Sequence, residues 1–291
     1  MPLYLFYPMA GAFLYTLAML CIKRALAEGA GPWRVKFICN LTMGLTYLPI
    51  LFWAEQPWSA LAWAPVALCG FTFLIGQIFT FLALHRGDVS VATPLLGTKV
   101  LFVAVLTVLL IGDTVPWPWW LGAFLVVAAI FLLRGNTALD RKRLLPSIGY
   151  SLISAFAFAL TDVMLQKWVQ HGGFGLFVPM MFGLMALFSF AFVPFFHEPL
   201  TRMPKKIWVW LLPGAILLAI NALCMAYTIS VYGHATAANI VYSSRGLWSV
   251  VLVWILGHWF ANEERHAGLK VMRQRLLGAS LLIVAIILVL V

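Results

Sequence analysis

Long apolar runs, each near the length of a bilayer-crossing helix, alternate with short polar or basic connections along the whole chain. A membrane helix needs about 20 mostly apolar residues. Ten segments meet or approach that length: Leu3–Ile22, Phe37–Trp53, Trp63–Leu84, Val89–Ile111, Trp117–Leu133, Ser147–Trp168, Phe174–Phe196, Ile207–Val231, Ala235–Trp259 and Leu276–Val291. They lack the two-residue alternation of a lipid-facing barrel strand, so the pattern predicts helices, here numbered spans 1 to 10. Trp58, Trp117, Trp119 and Trp120 fall at span boundaries, where interfacial aromatics belong. No basic residue precedes span 1 and Lys23-Arg24 follow it, so it is expected to be a membrane helix and not a cleaved signal.

Composition agrees with that pattern and narrows the function classes. Of 291 residues, 64% are hydrophobic and only 10% are charged, and the mean hydropathy is +1.00. A soluble fold of this size could not hide so much apolar surface, which argues against a soluble enzyme or a nucleic-acid-binding module. The net charge of +10 resides mostly in short loops, where it orients a membrane protein. Cys21, Cys39, Cys69 and Cys224 lie inside apolar stretches with no CxxC pair, so neither a disulfide framework nor a metal site is expected.

The only sizeable polar linker, 135–146, falls at mid-chain with five spans on either side, which invites a search for a repeat. Gly87–Leu110 aligns with Gly233–Leu256 at an offset of 146 residues, without a gap. Ala92 meets Ala238, Leu101 meets Leu247, Ser90 meets Thr236, Phe102 meets Trp248, and Lys99 lands on Arg245. Leu121-Gly122-Ala123 similarly resembles Leu277-Gly278-Ala279. Matched leucines mean little among apolar helices; the coincident glycine and the coincident cation point to duplication. The expected organisation is a first unit over 1–135, a basic connection over 136–146, and a second unit over 147–291.

An odd number of spans per unit turns the second unit upside down. Of the 19 Lys and Arg residues, all but Lys99, Lys167 and Arg245 lie in or beside the loops after the odd-numbered spans. Basic loops stay in the cytoplasm, so both termini are expected on the non-cytoplasmic face of the cell's inner membrane.

Ten spans in two inverted five-helix units resemble the drug/metabolite transporter superfamily, and its EamA-like branch in particular. The local marks are Ala83-Leu84-His85-Arg86-Gly87-Asp88-Val89-Ser90-Val91-Ala92 entering span 4 and Tyr232-Gly233-His234-Ala235-Thr236-Ala237-Ala238 entering span 9. The resemblance implies a central cavity, walled by both units, that opens alternately to either side. It also implies that Asp113 is the counterpart of an acidic residue that the family carries after span 4, and that the termini are cytoplasmic. The charge bias says the opposite of the last, and is followed here.

Polar residues inside the spans are the candidates for chemistry. Lys99 and Arg245 each lie about ten residues into a span, about 15 Å deep, where a charge costs roughly 2.5–3.5 kcal/mol. In an inverted repeat they converge on one cavity as an anion site; otherwise Asp162 or helix carbonyls neutralise them. Asp162, in span 6, is a candidate either for charge pairing or for carrying a coupling proton. Two cations and one acid leave one positive charge over, which favours an anionic ligand. Asn239, Tyr242, Arg245 and Ser249 share a sector about 120° wide on span 9, bordered by Trp248. Gln77 in span 3 and Asn221 in span 8 occupy similar positions in the two units and complete the candidate substrate-binding set. Gly70, Gly76, Gly97 and Gly246 read as close-packing positions, and Pro94 as a kink before Lys99.

No GxSxG elbow, Walker pattern or HExxH occurs, the stretch from His258 to His266 with Glu263-Glu264 included. The expectation is therefore an all-α, ten-helix membrane protein without cofactor or enzymatic activity. It would act as a secondary transporter for a small anionic or zwitterionic metabolite, in contact with membrane lipids and compatible with a homodimer. The competing expectation is a translocase for a lipid or lipid-linked phosphate head group.

Overall fold

The computed structural model describes residues 2–54, 57, 63–85, 92, 95–134, 141–256 and 269–290. Among them every regular element is a helix. The main helices are α1 (Phe6–Ala27), α2 (Pro32–Tyr47), α3 (Trp63–His85), α4 (Lys99–Leu106), α5 (Trp117–Arg134) and α6 (Arg141–Trp168). They continue as α7 (Gly173–Phe188), α8 (Lys205–Tyr232), α9 (Ala235–Tyr242), α10 (Arg245–Leu256) and α11 (Leu269–Leu290).

Among the described residues six apolar helical stretches are long enough to cross a bilayer: Leu3–Ala27, Pro32–Phe52, Trp63–Ala83, Leu144–His171, Gly173–Phe195 and Lys205–Tyr232. Leu95–Ile111, Trp117–Leu132 and Leu277–Leu290 are apolar but shorter. Span 9 departs from expectation: it is not one helix, because Ser243 and Ser244 form a turn between α9 and α10. There the backbone tightens, with Ser244 N–H donating to Val241 O at 3.0 Å and Gly246 N–H to Ser243 O at 3.0 Å. Serine beside glycine favours such a turn over an uninterrupted helix. A milder turn at Thr98 precedes α4, and a π-helical turn, Thr107–Ile111, follows it. Pro94, residues 86–91 of the span 4 motif, residues 135–140 of the basic connection and the stretch from His258 to His266 lie outside the described residues.

Each connection has a local cause. Gly29 and Gly31 take φ of +93° and +76°, and Pro32 opens α2 at a position that needs no N–H. Arg34 closes that turn by donating from Nε to Ala30 O at 2.6 Å and from Nη2 to Gly29 O at 2.9 Å. Gly233, at φ +68°, ends α8 with its N–H on Ile229 O.

The most extensive helix pairings are α1 with α8, α5 with α11, and α3 with α6. Further pairings join α2 to α7 and α8, α3 to α7, α4 to α6 and α9, and α1 to α9 and α10. Small residues set these distances: a Cβ on Gly70 would lie 2.8 Å from Met181 O, and one on Gly76 would lie 2.8 Å from the Phe158 ring. Hydroxyls stitch α3 to α6, with Thr72 and Thr161 2.8 Å apart and Thr80 and Ser154 2.7 Å apart. Such interhelical bonds contribute about 0.6 kcal/mol each.

Both described ends of the chain reach one end of the bundle. Tyr4 stacks on Tyr232 at 5.3 Å and packs against His234, and Gly122 near the start of α5 abuts Ala285 near the end of α11. The opposite end carries the ion pairs Glu28–Lys206 (2.7 Å), Glu28–Arg24 (3.1 Å) and Glu198–Arg34 (3.6 Å). These tie the α1–α2 turn to the segment entering α8.

Candidate functional site

Lys99, Asp162 and Arg245, the charged candidates inside the spans, belong to two clusters along span 9. In the first, Lys99 opens α4 and sets its Nζ 2.7 Å from Asp162 Oδ2 on α6. Asn239 of α9 donates from Nδ2 to the same oxygen at 2.7 Å, and also to Ala235 O at 2.9 Å. Phe158, one turn before Asp162, places its ring 5.8 Å from the Lys99 ammonium. Both charged side chains are largely removed from solvent, at 17% and 13% exposure, so the pair is held at low dielectric by complementary hydrogen bonds. The cluster is formally neutral.

The second cluster surrounds Arg245, the first residue of α10 after the serine turn. Its guanidinium lies 5.2 Å from the Tyr15 ring and 4.9 Å from the Tyr242 ring, and those rings meet edge to face at 6.1 Å. A planar, weakly hydrated cation suits aromatic faces; each contact contributes about 1–2 kcal/mol when desolvated. The Tyr242 side chain also interacts with Asn221 and Arg245. Trp248, one turn on, meets Phe13 edge to face at 5.2 Å. Among the described residues no carboxylate lies within ion-pair distance of Arg245.

Within three residues of this cation are polar groups without a partner among the described residues. Ser244 Oγ and Trp248 Nε1 are buried and unbonded, and Ser244, Arg245 and Trp248 share a helix face by their spacing. Asn221 Oδ1 is buried and unbonded too, close against Gly11. Arg245 stands where the carbonyl end of α9 meets the start of α10, whose first N–H groups are bonded within the turn, as Ser244 N–H is to Val241 O and Gly246 N–H to Ser243 O.

The two cations share no partner among the described residues; they are linked through α9, whose Asn239 serves the first cluster and whose Tyr242 serves the second. Gln77 joins neither cluster: its amide lies 4.0 Å from Met185 Sδ at the α3–α7 contact. Ser249 bonds its own turn, donating to Gly246 O at 2.7 Å. Tyr15 and Ser244 were not among the sequence candidates. An aromatic in a membrane helix carries no signal of its own, whereas the Ser-Ser-Arg-Gly run at 243–246 is one.

A recess of about 320 Å³ opens at the bundle end that holds the chain termini. Its lining includes Thr107, Asp113, Trp119, Gln166, His234 and Thr236. Asp113, expected to be the acidic residue after span 4, stands exposed at this mouth and accepts from Gln166 Nε2 at 3.3 Å. Gln166 Oε1 accepts the Ala235 N–H at 3.0 Å, bracing the start of α9. Among the described residues, no group of three or more His, Cys, Asp or Glu side chains has the arrangement of a metal site.

Comparison with known proteins agrees with this architecture. No curated protein matches the chain. A solved structure described only as the crystal structure of a protein superposes with a TM-score of 0.73 at 17% identity, over 98% of this chain and 96% of that one. At that identity the likeness concerns the fold. The family model of EamA-like transporters matches residues 2–135. Over those residues the chain is similar to the EamA-like transporters of the drug/metabolite transporter superfamily, and with its long apolar helices it is a multi-pass membrane protein.

Proposed function

We propose that the protein is a secondary transporter that carries a small anionic or zwitterionic metabolite through the inner membrane by alternating access, with no enzymatic step. The observation that carries this reading is Arg245: a cation at a helix start, clasped by Tyr15 and Tyr242, with unbonded Ser244 and Trp248 donors on its face. Lys99 and Asp162 cancel each other, and among the described residues no carboxylate pairs with Arg245, whose positive charge is left over. A small anion accepting from the guanidinium fork, the serine hydroxyl and the indole N–H would neutralise that charge and satisfy those donors together.

Ten spans in two inverted units are part of the proposal. The helix pairings support it: exchanging spans 1 with 6, 2 with 7, 3 with 8, 4 with 9 and 5 with 10 returns much the same set of pairings. The α1–α8 contact becomes the α6–α3 contact, and the α2–α8 contact becomes α7–α3. The interruptions before Lys99 and Arg245 also correspond, each leaving its cation as the first residue of a half-helix. Broken helices whose starts face an anionic group are a recurrent way to build a midplane site. Rocking of the two units about that site would open it to either face.

The test is flux into proteoliposomes of a panel of carboxylated, phosphorylated and cationic metabolites. Saturable uptake confined to anionic or zwitterionic compounds, abolished by Arg245→Gln in protein that still reconstitutes, is the expected result. Uptake of cations alone would overturn the assignment. Scrambling of labelled phospholipid without solute flux would favour head-group translocation.

A further inference from the structure

The mouth recess and the Lys99–Asp162–Asn239 cluster are built on the same three stretches of chain. Thr107 lies two turns beyond Lys99, Gln166 one turn beyond Asp162, and Thr236 three residues before Asn239. At about 1.5 Å per residue these steps are roughly 12, 6 and 4.5 Å, so the recess ends within a turn or two of the carboxylate.

The lining is suited to protons. Asp113 and His234 stand exposed to water at the rim. Deeper in, Thr107 and Thr236 are 5% and 2% exposed, and neither hydroxyl has a partner among the described residues. Each can both donate and accept, and the recess has room for roughly ten waters at about 30 Å³ each. The charged groups around it do not block the route: Lys167 donates its ammonium to Leu110 O at 2.7 Å, and His171 bonds Trp168 O. His234 is flanked by the rings of Tyr4 and Trp119. Around Asp162 itself stand Lys99 of α4, Asn239 of α9 and Cys69 of α3.

We propose that this recess is the proton-loading path to Asp162, and that arrival of the proton releases Lys99 to the transported anion. The step balances simply. A proton from the mouth forms an O–H bond on the Asp162 carboxylate, the Lys99 ion pair is lost, and the interior charge rises by one. The anion held at Arg245 then meets a second positive charge on Lys99, so the loaded proton strengthens its binding and proton and anion move in the same direction. This coupling rests on the transporter reading above, but its test needs no substrate.

The experiment follows the Asp162 carboxyl band by infrared difference spectroscopy after a pH drop, on full-length protein in liposomes, with Asp162→Asn assigning the band. The wild type is expected to gain the protonated band rapidly. The Thr107→Val/Thr236→Val variant is expected to gain the same amplitude at least about tenfold more slowly, as for a barrier raised by ~1.4 kcal/mol. Asp113→Asn and His234→Gln, which change only exposed rim residues, provide a second reading and should also slow it. An unchanged rate in all three variants would overturn the path. Absence of the band at every pH would overturn proton loading altogether, while leaving the anion site at Arg245 to be judged by flux.

Discussion

Lys99 and Asp162 form an ion pair at 2.7 Å between α4 and α6, and Asn239 of α9 donates to the same carboxylate oxygen. Three helices are thereby fastened at one atom. A charge so far from water is tolerated because its partner and an amide dipole replace the lost solvation. Removing one member leaves the other unbalanced, whereas removing both leaves little to compensate.

Asp162→Asn should therefore destabilise the protein by about 3 kcal/mol, and Lys99→Gln by a similar amount. The double variant should lose less than the two singles added together. Unfolding of the purified protein in detergent, read as a double-mutant cycle, checks this; simple additivity would mean that the pair is not coupled.

Arg245→Lys keeps the charge but not the planar group that packs against both Tyr15 and Tyr242. An ammonium makes no bidentate contact and is more strongly hydrated. Anion affinity should fall by about tenfold or more, equivalent to ~1.4 kcal/mol. Tyr15→Leu should weaken binding in the same direction, and equilibrium binding of the anions that the wild type accepts is the measurement.

Gly70 faces Met181 O so closely that a Cβ would sit 2.8 Å from it. Gly70→Ala must push α3 and α7 apart, at a cost of about 1–3 kcal/mol. Gly149, with nothing within 4 Å of its would-be Cβ, is the control: Gly149→Ala should leave the melting temperature unchanged or raise it. Equal losses at both sites would show that close packing is not the cause.

At the opposite end of the bundle, Lys206 bonded to Glu28 holds that carboxyl below its ordinary value of 4.5, by the hydrogen bond first and the charge second; Arg24 adds to the effect. A lowered value in the folded state means that the contribution to stability is complete above pH 4.5 and is lost as the pH falls through the lowered value. Melting temperatures of the wild type and Glu28→Gln should differ at neutral pH and converge in acid. A gap that persists unchanged in acid would show that the carboxylate charge is not responsible.

Much of this site is legible in the sequence because a charge inside an apolar run has no cheap explanation. Lys99, Arg245 and Asp162 stand out for that reason, and Asn239 and Tyr242 follow from helical spacing on span 9. What does not follow is who pairs with whom. Residue spacing fixes a face, but it does not say that Asp162 goes to Lys99 and leaves Arg245 to two tyrosines. That choice depends on α1 bringing Tyr15 against α9, far away in the sequence, and Tyr15 looks in sequence like any membrane aromatic. The interruption at Ser243–Ser244 is hidden for a related reason: the apolar run on both sides is long enough to read as one helix. Gln77 shows the converse: it is expected from sequence as a ligand contact, and its buried amide meets a methionine sulfur at the α3–α7 contact.

The most direct measurement is the thermal stability of purified wild type and Arg245→Gln across carboxylated, phosphorylated and cationic small molecules. An uncompensated guanidinium predicts that at least one anionic class raises the wild-type melting temperature in a saturable way and leaves the variant unmoved. Stabilisation by cations, or an anion effect of equal size in Arg245→Gln, would contradict it.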